Sequence, residues 1–343
     1  MPARVYITVD TENSMGGAWA DPAVKPVPAD RHIFCRVGDS DHGIGWICDE
    51  LNRKDLRATF FCEVFASECL GDADTLSYFD FLLRSGQDVQ LHTHLTYHFY
   101  AQSRPEGYSV RPYLTAPRTD DLCKLPEAFR AEALGRACEL FAGFAGRRPV
   151  AFRAGNWHCN RALIADLDRE SIVIDSSYNH AFQGRGSFDG EALLINALQR
   201  VGPVWEVQAT VARQTLPDPA VPNAFRHFDP TSMSRWEMQS VLEHASASGM
   251  EHIVVVFHSF SAVKSRNLQY SDLRPDRLVK RRFAWLLDYL SQNPSRFTVT
   301  TFADLATHIG ELSPQNRDTF ADLGFVHPLA RKAVQGFNRL YWV

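Results

Sequence analysis

The chain has no Cys-x-x-Cys pair, although it holds seven cysteines: Cys35, Cys48, Cys62, Cys69, Cys123, Cys138 and Cys159. An odd number without regular spacing does not make a disulfide framework, and a chain of 343 residues has no need of one. The thiols read as reduced and structural, and a cysteine zinc site is disfavoured. No apolar run approaches the roughly 18 residues of a spanning helix, so no transmembrane segment is expected. No charged segment followed by an apolar core stands at the start, so a cytoplasmic location is expected. Lys and Arg total 36 against 40 Asp and Glu, a net charge of -4, so no positive field argues for nucleic acid. G-x-x-x-x-G-K-[ST], G-x-G-x-x-G after a strand and G-x-S-x-G are all missing. Their absence removes support for nucleotide binding of those kinds and for a serine hydrolase at Ser259. No internal repeat or low-complexity segment is found.

What is present is an alternation of short apolar, β-branched runs with longer helical patterns. Strands are expected at 5–9, 58–62, 88–91, 149–152, 172–174, 204–207, 253–257 and 297–300. Helical spacing marks 44–51, 76–83, 126–144, 233–248, 282–290 and a segment from Phe302. Lys280-Arg281-Arg282 reads as a solvated helix face. Alternating strands and helices imply βαβ units and a mostly parallel sheet. Seven or eight such units favour an α/β barrel of roughly seven parallel strands, whose chemistry belongs at the C-terminal strand ends. The expected division is a barrel over 1–312 and a C-terminal helical extension over 313–343. Phe337, Leu340 and Tyr341-Trp342-Val343 could pack back on the barrel or meet a membrane or partner. The connections at 15–40 and 99–125 are long enough to shape a cleft.

Polar blocks follow the apolar runs directly. Asp10 and Glu12 are two apart and would share one side of a strand, one able to bind metal and the other to act as base. His92 and His94 share a side if extended; His94 and His98 share a face if helical; either pair can grip a metal through imidazole nitrogens. Arg153 ends a strand, where a guanidinium can keep a carboxylate ionised and oriented. His258 follows five apolar residues and is placed for proton transfer. Glu206 is a carboxylate inside an apolar strand, read as a supporting group or substrate contact. Trp157 and Trp205 could stack on a sugar ring or pack in the core.

In order along the chain, these blocks resemble the polysaccharide deacetylase family, the NodB-homology carbohydrate esterases. Thr8-Val9-Asp10-Thr11 is similar to its T-F-D-D motif, and Leu56-Arg57-Ala58-Thr59-Phe60-Phe61 to its K-A-T-F-F strand. Gly86-Gln87-Asp88-Val89-Gln90-Leu91-His92-Thr93 is similar to G-H-E-I-G-x-H-[ST]. Arg148 to Gly155 resembles the arginine motif, Asp175-Ser176-Ser177 a D-S-S segment, and Val256-Phe257-His258-Ser259 the last histidine motif. The resemblance implies a distorted (β/α) barrel, a divalent metal (usually zinc), and hydrolysis of an N-acetyl or related acyl group. By position it implies Asp10 as general base, Arg153 as its tuning partner, His258 as general acid and His92 as metal ligand. Thr11 stands where the family has a second aspartate, and Thr96 where it has a second histidine. His94 or His98 would then join His92, and Glu12 would supply the carboxylate, as in D-x-E and H-x-H branches. Trp157, Glu206 and Asp175 are the expected substrate contacts. The expected partner is a carbohydrate or small acylated amine; a homo-oligomer stays open. The alternatives are a metal-independent C–N hydrolase like the allantoinase branch, and an inactive carbohydrate-binding relative.

Overall fold

The computed structural model describes residues 2–21, 23–103, 120–215, 223–324 and 326–340. Its centre is a nine-stranded sheet. The strands are β1 (Ala3–Thr11), β2 (Thr59–Glu63), β3 (Asp88–Thr93), β4 (Ala151–Ala154), β5 (Ile174–Asp175), β6 (Gln199–Val201), β7 (Val204–Glu206), β8 (His252–His258) and β9 (Phe297–Thr300). Their order is β8-β1-β2-β3-β4-β5-β7-β6, with β9 also on β1. Every pairing is parallel except β6 with β7. The sheet curls into a distorted half-barrel. Between β7 and β8, irregular backbone takes the place of a strand. Thr210 N donates to Val254 O at 3.2 Å, Phe228 N to Thr210 O at 2.7 Å, and Val256 N to Phe228 O at 2.8 Å. Buried backbone groups must find partners, and here a non-strand segment supplies them.

Side-chain alternation sorts each strand into an inner and an outer row. Tyr6, Phe61, Ala151, Ile174, Trp205 and Val254 form the inner apolar cluster. Val5, Ile7, Val9, Phe60, Phe152, Val204 and Val255 belong to the outer core beneath the helices. Both faces are therefore buried, which is why these strands read as nearly continuous apolar runs. The inner rows become polar at their C-terminal ends, and that change makes the site.

Helices cover the outer face, ending where local chemistry dictates. Ser234-Arg235-Trp236-Glu237 forms a capping box for helix Arg235–Ser248, which stops at Gly249 with φ +71°. The basic run differs from expectation: Arg281 is exposed, whereas Lys280 lies over the Trp46 ring and Arg282 is buried, donating to Thr231 O at 3.1 Å. All seven cysteines are unpaired. No helix among the described residues is long and apolar enough to cross a membrane. Helix Val326–Leu340 follows the barrel. Tyr341-Trp342-Val343 and the side chains of Phe337 and Leu340 lie outside the described residues.

At the opposite end from the polar rows, His252 is buried and 3.0 Å from Tyr6 Oη through Nδ1. Burial, reinforced by Arg4, lowers its pKa to about 4. The unfolded chain therefore takes up a proton that the folded chain refuses between pH 6.5 and about 4. His252 should account for a loss of stability of up to about 3 kcal/mol as pH drops through that window. Urea midpoints at several pH values check this; the same slope in His252→Gln would assign the effect elsewhere.

Candidate active site

Four strand ends deliver the central groups. Asp10 lies on the inner row of β1, after Tyr6 and Thr8. Arg153, on the inner row of β4, is fully buried. Its Nη1 donates to Asp10 Oδ1 at 2.6 Å and to Thr8 Oγ1 at 2.9 Å. Its Nη2 donates to Ser176 Oγ at 3.0 Å and its Nε to Ser176 O at 3.2 Å. The guanidinium packs against Phe61 and Trp157, at 4.2 and 5.1 Å from the ring centroids. Four of its five N–H groups are used in this way, and only one of them reaches Asp10, which is thus held by a single oxygen. The other, Oδ2, lies 3.9 Å from His258 Nε2 at the end of β8.

Beside this pair, Glu12, His92 and His94 converge, with one ligand atom from each lying within 4.8 Å of the others. His92 Nδ1 donates to Arg153 O at 2.7 Å, which leaves Nε2 facing Glu12 Oε2 at 3.3 Å. His94 Nε2 lies 2.5 Å from the same oxygen, and its Nδ1 is held by Asp120. Burial alone would raise the Glu12 pKa, but His94 and His92 hold it well below the usual carboxylate range. Burial alone would lower that of His94, but Asp120 and Glu12 lift it well above an ordinary histidine. Two imidazole nitrogens and a carboxylate oxygen, each imidazole fixed through its other nitrogen, form a donor set suited to a divalent ion.

Gly155 makes this packing possible. A Cβ there would lie 2.7 Å from Thr93 O and 2.8 Å from the His94 ring. The next two residues carry strain: Asn156 and Trp157 have φ of 55° and 63°. Non-glycine residues in that region cluster at functional sites. Asn156 Nδ2 donates to Asp120 Oδ2 at 2.9 Å, so the strained turn also steadies the partner of His94.

The other expected residues fall on both sides of the boundary. Trp157 lines the cleft, a cavity of about 550 Å³ that also holds Asp10, Glu12, His92, His94 and His258. His98 does not reach it. Helix Leu95–Ser103 turns it away, with Nδ1 2.6 Å from Glu68 Oε2 and Nε2 2.6 Å from Gln102. Asp175 and Glu206 do not reach it either, and their role as substrate contacts is corrected. Asp175 alternates with inward Ile174, and Glu206 with inward Trp205, so both carboxyls point outward and are fully buried. They are neighbours on β5 and β7. Asp175 accepts from Ser177 Oγ at 2.6 Å and Cys159 Sγ at 3.1 Å, and Glu206 from Tyr178 N at 3.0 Å. Burial raises the pKa of both, and for Glu206 the Asp175 charge adds to it. Thr11 lies opposite Asp10 in the β1 alternation, and Thr96 Oγ1 accepts from Trp19 Nε1 at 2.7 Å; neither joins the cluster.

Several residues outside the expected set also support the site. Asp120 arrives from a long connection. Glu63 ends β2, accepts from Phe65 N and Ala66 N at 2.7 Å, and is pushed up to about 8 by burial. His32 supports Glu12 from below, 2.7 Å from its carbonyl, and burial lowers it to about 4. His158, Phe182, Arg185 and His227 complete the cleft wall. Of these, only His227 stands in a readable pattern, a short Phe225–His227 strand.

No family model matches the sequence, and no curated protein sequence matches it. Solved structures do resemble it. A protein assigned as a polysaccharide deacetylase from Mycobacterium smegmatis has TM-score 0.49 and 17% identity, over 92% of this chain and 93% of that one. Puue allantoinase has TM-score 0.48 and 11% identity, over 92% of each chain. A family 4 acetyl xylan esterase from Clostridium thermocellum, in complex with cobalt, has TM-score 0.40 and 10% identity, over 90% and 92%. The solved structures similar to this chain include family 4 deacetylases. One similar structure, from Bacillus anthracis, is a pseudoenzyme of that family, with TM-score 0.40 and 10% identity over 89% of this chain and 65% of that one.

Proposed function

We propose that the chain is a metal-dependent hydrolase that removes an N-acetyl or related acyl group from a sugar or small acylated amine. The reading rests on one observation. A Glu12–His92–His94 donor set opens into the same cleft as an arginine-held carboxylate and a strand-end histidine. In this reading residues 1–312 form the catalytic barrel and 313–343 an extension on it.

Glu12, His92 and His94 would hold the ion. A divalent ion there, most simply zinc, supplies a Lewis acid for the acyl oxygen and for water. Asp10 takes the proton of the attacking water through Oδ2, the oxygen that Arg153 leaves open. Arg153 keeps the carboxylate from rotating as that proton arrives. His258, across from Oδ2, gives a proton to the departing amine. Trp157 and Phe182 offer ring faces to the body of the substrate.

Metal analysis of the purified protein tests the reading. About one divalent ion per chain is expected, lost in His92→Ala and in His94→Ala. One observation favours a second reading, metal-free C–N hydrolysis: His94 already lies between two carboxylates, Glu12 and Asp120, which hold it protonated without an ion. Turnover of a small amide by metal-stripped protein would select it.

A further inference from the structure

Helix Val326–Leu340 is amphipathic in the reverse sense. Its polar side faces the protein. Arg331, 2% exposed, donates to Glu237 Oε1 at 3.0 Å and Gln214 Oε1 at 3.1 Å. Gln335 Nε2 donates to Thr231 O at 3.1 Å, and Asn338 Nδ2 to Asp276 Oδ2 at 3.0 Å. Positions 331, 335 and 338 follow the helical repeat, so the opposite side must point outward. The arc running from that outer side round to the flank beside Arg331 carries Leu329, Ala333, Ala330 and Val334 in turn, with Leu329 and Val334 52% and 46% exposed. Trp236, 53% exposed, adjoins it. Between this helix and helices Arg235–Ser248 and Arg277–Ser291 runs an almost wholly apolar groove of about 330 Å³, floored by Leu278 and Trp285. Exposed apolar surface of this kind marks an interaction site.

We propose that this face docks on an anionic lipid bilayer, with Leu329, Val334 and Trp236 entering the headgroup–acyl boundary. The charge around it identifies the occupant. Four arginines line the groove and no acidic residue does. Arg282 and Arg331 are committed to buried hydrogen bonds. Arg235 and Arg281 stand exposed at the rim, and Arg277 is exposed one turn before Arg281. A second copy is a poor fit, because a two-fold interface would set these arginines against themselves. An extended peptide is also a poor fit, because its backbone groups would lie unpaired against an apolar wall. Acyl chains have no such groups, and anionic headgroups answer the rim. The inference does not depend on the hydrolase reading.

Flotation of the intact chain with phosphatidylcholine vesicles, with and without phosphatidylserine, tests it. Binding is expected only with phosphatidylserine and should weaken at high salt. Arg235→Gln and Arg281→Gln should each weaken it about fivefold. Leu329→Ser with Val334→Ser should abolish it; both sites are exposed, and an unchanged urea midpoint confirms the fold. Equal flotation with neutral vesicles, or none with either, overturns the proposal. So does a concentration-dependent dimer that the double serine variant disperses, or retention on an acidic peptide without vesicle binding.

Discussion

Replacing Arg153 by methionine should destabilise the protein by about 3–5 kcal/mol, the cost of removing one partner from a buried ion pair. Methionine keeps the unbranched apolar stem but not the guanidinium that lies over Phe61 and Trp157. It removes every hydrogen bond to Asp10, Thr8 and Ser176. Asp10, 3% exposed, would then be a buried carboxylate without its counterion. Urea denaturation at neutral pH reads the effect directly. Combining Arg153→Met with Asp10→Asn should restore part of the loss, because neutral asparagine needs no counterion. A loss below about 1 kcal/mol in the single variant would mean that Asp10 had found another partner, and the account of the pair would be wrong.

Asp10→Asn, alone, should lower turnover by about 10²–10⁴-fold, the usual contribution of a positioned general base. Asparagine is nearly isosteric, and its carbonyl oxygen can still accept from Arg153 in the place of Oδ1. Its amide nitrogen replaces Oδ2, the one oxygen facing His258 and the cleft, and cannot take up a proton. The Glu12–His92–His94 group is untouched, so metal content should stay at the wild-type level. The assay is acyl release from a panel of N-acetylated sugars and amines, with metal measured on the same samples. A fully active variant would remove Asp10 as the base and leave the metal proposal standing. Loss of both activity and metal would instead show that Asp10 supports the ligand group.

Much of this site is legible in the sequence because parallel strands announce their own ends. A continuous apolar run followed at once by a polar residue marks the C-terminal edge of a buried strand. Asp10, His92, Arg153 and His258 each stand at such a point, and the fold brings all four together. Alternation also carries Asp10 with Glu12, and His92 with His94, to the same side.

The same rule decides against two expectations. Asp175 and Glu206 end strands too, but they are one residue out of step with inward Ile174 and Trp205, and a one-residue offset reverses the face. Which parity is inward depends on which way the sheet curls. His98 was separable from His94 only once the chain had turned helical after β3, rotating it toward Glu68 and Gln102. Asp120 and His32 were hidden for another reason. They act through contacts with residues far away in sequence, and nothing beside them shows it.

The sequence by itself determined the alternating architecture, the rim on which polar groups gather, and the identity of the strand-end residues, because these follow from local periodicity. Only the tertiary structure decided which carboxylate joins which histidine, which acids stay buried behind the sheet, and that helix Val326–Leu340 packs by its polar side. Those are outcomes of long-range packing, in which a side chain's role is set by the neighbours it meets.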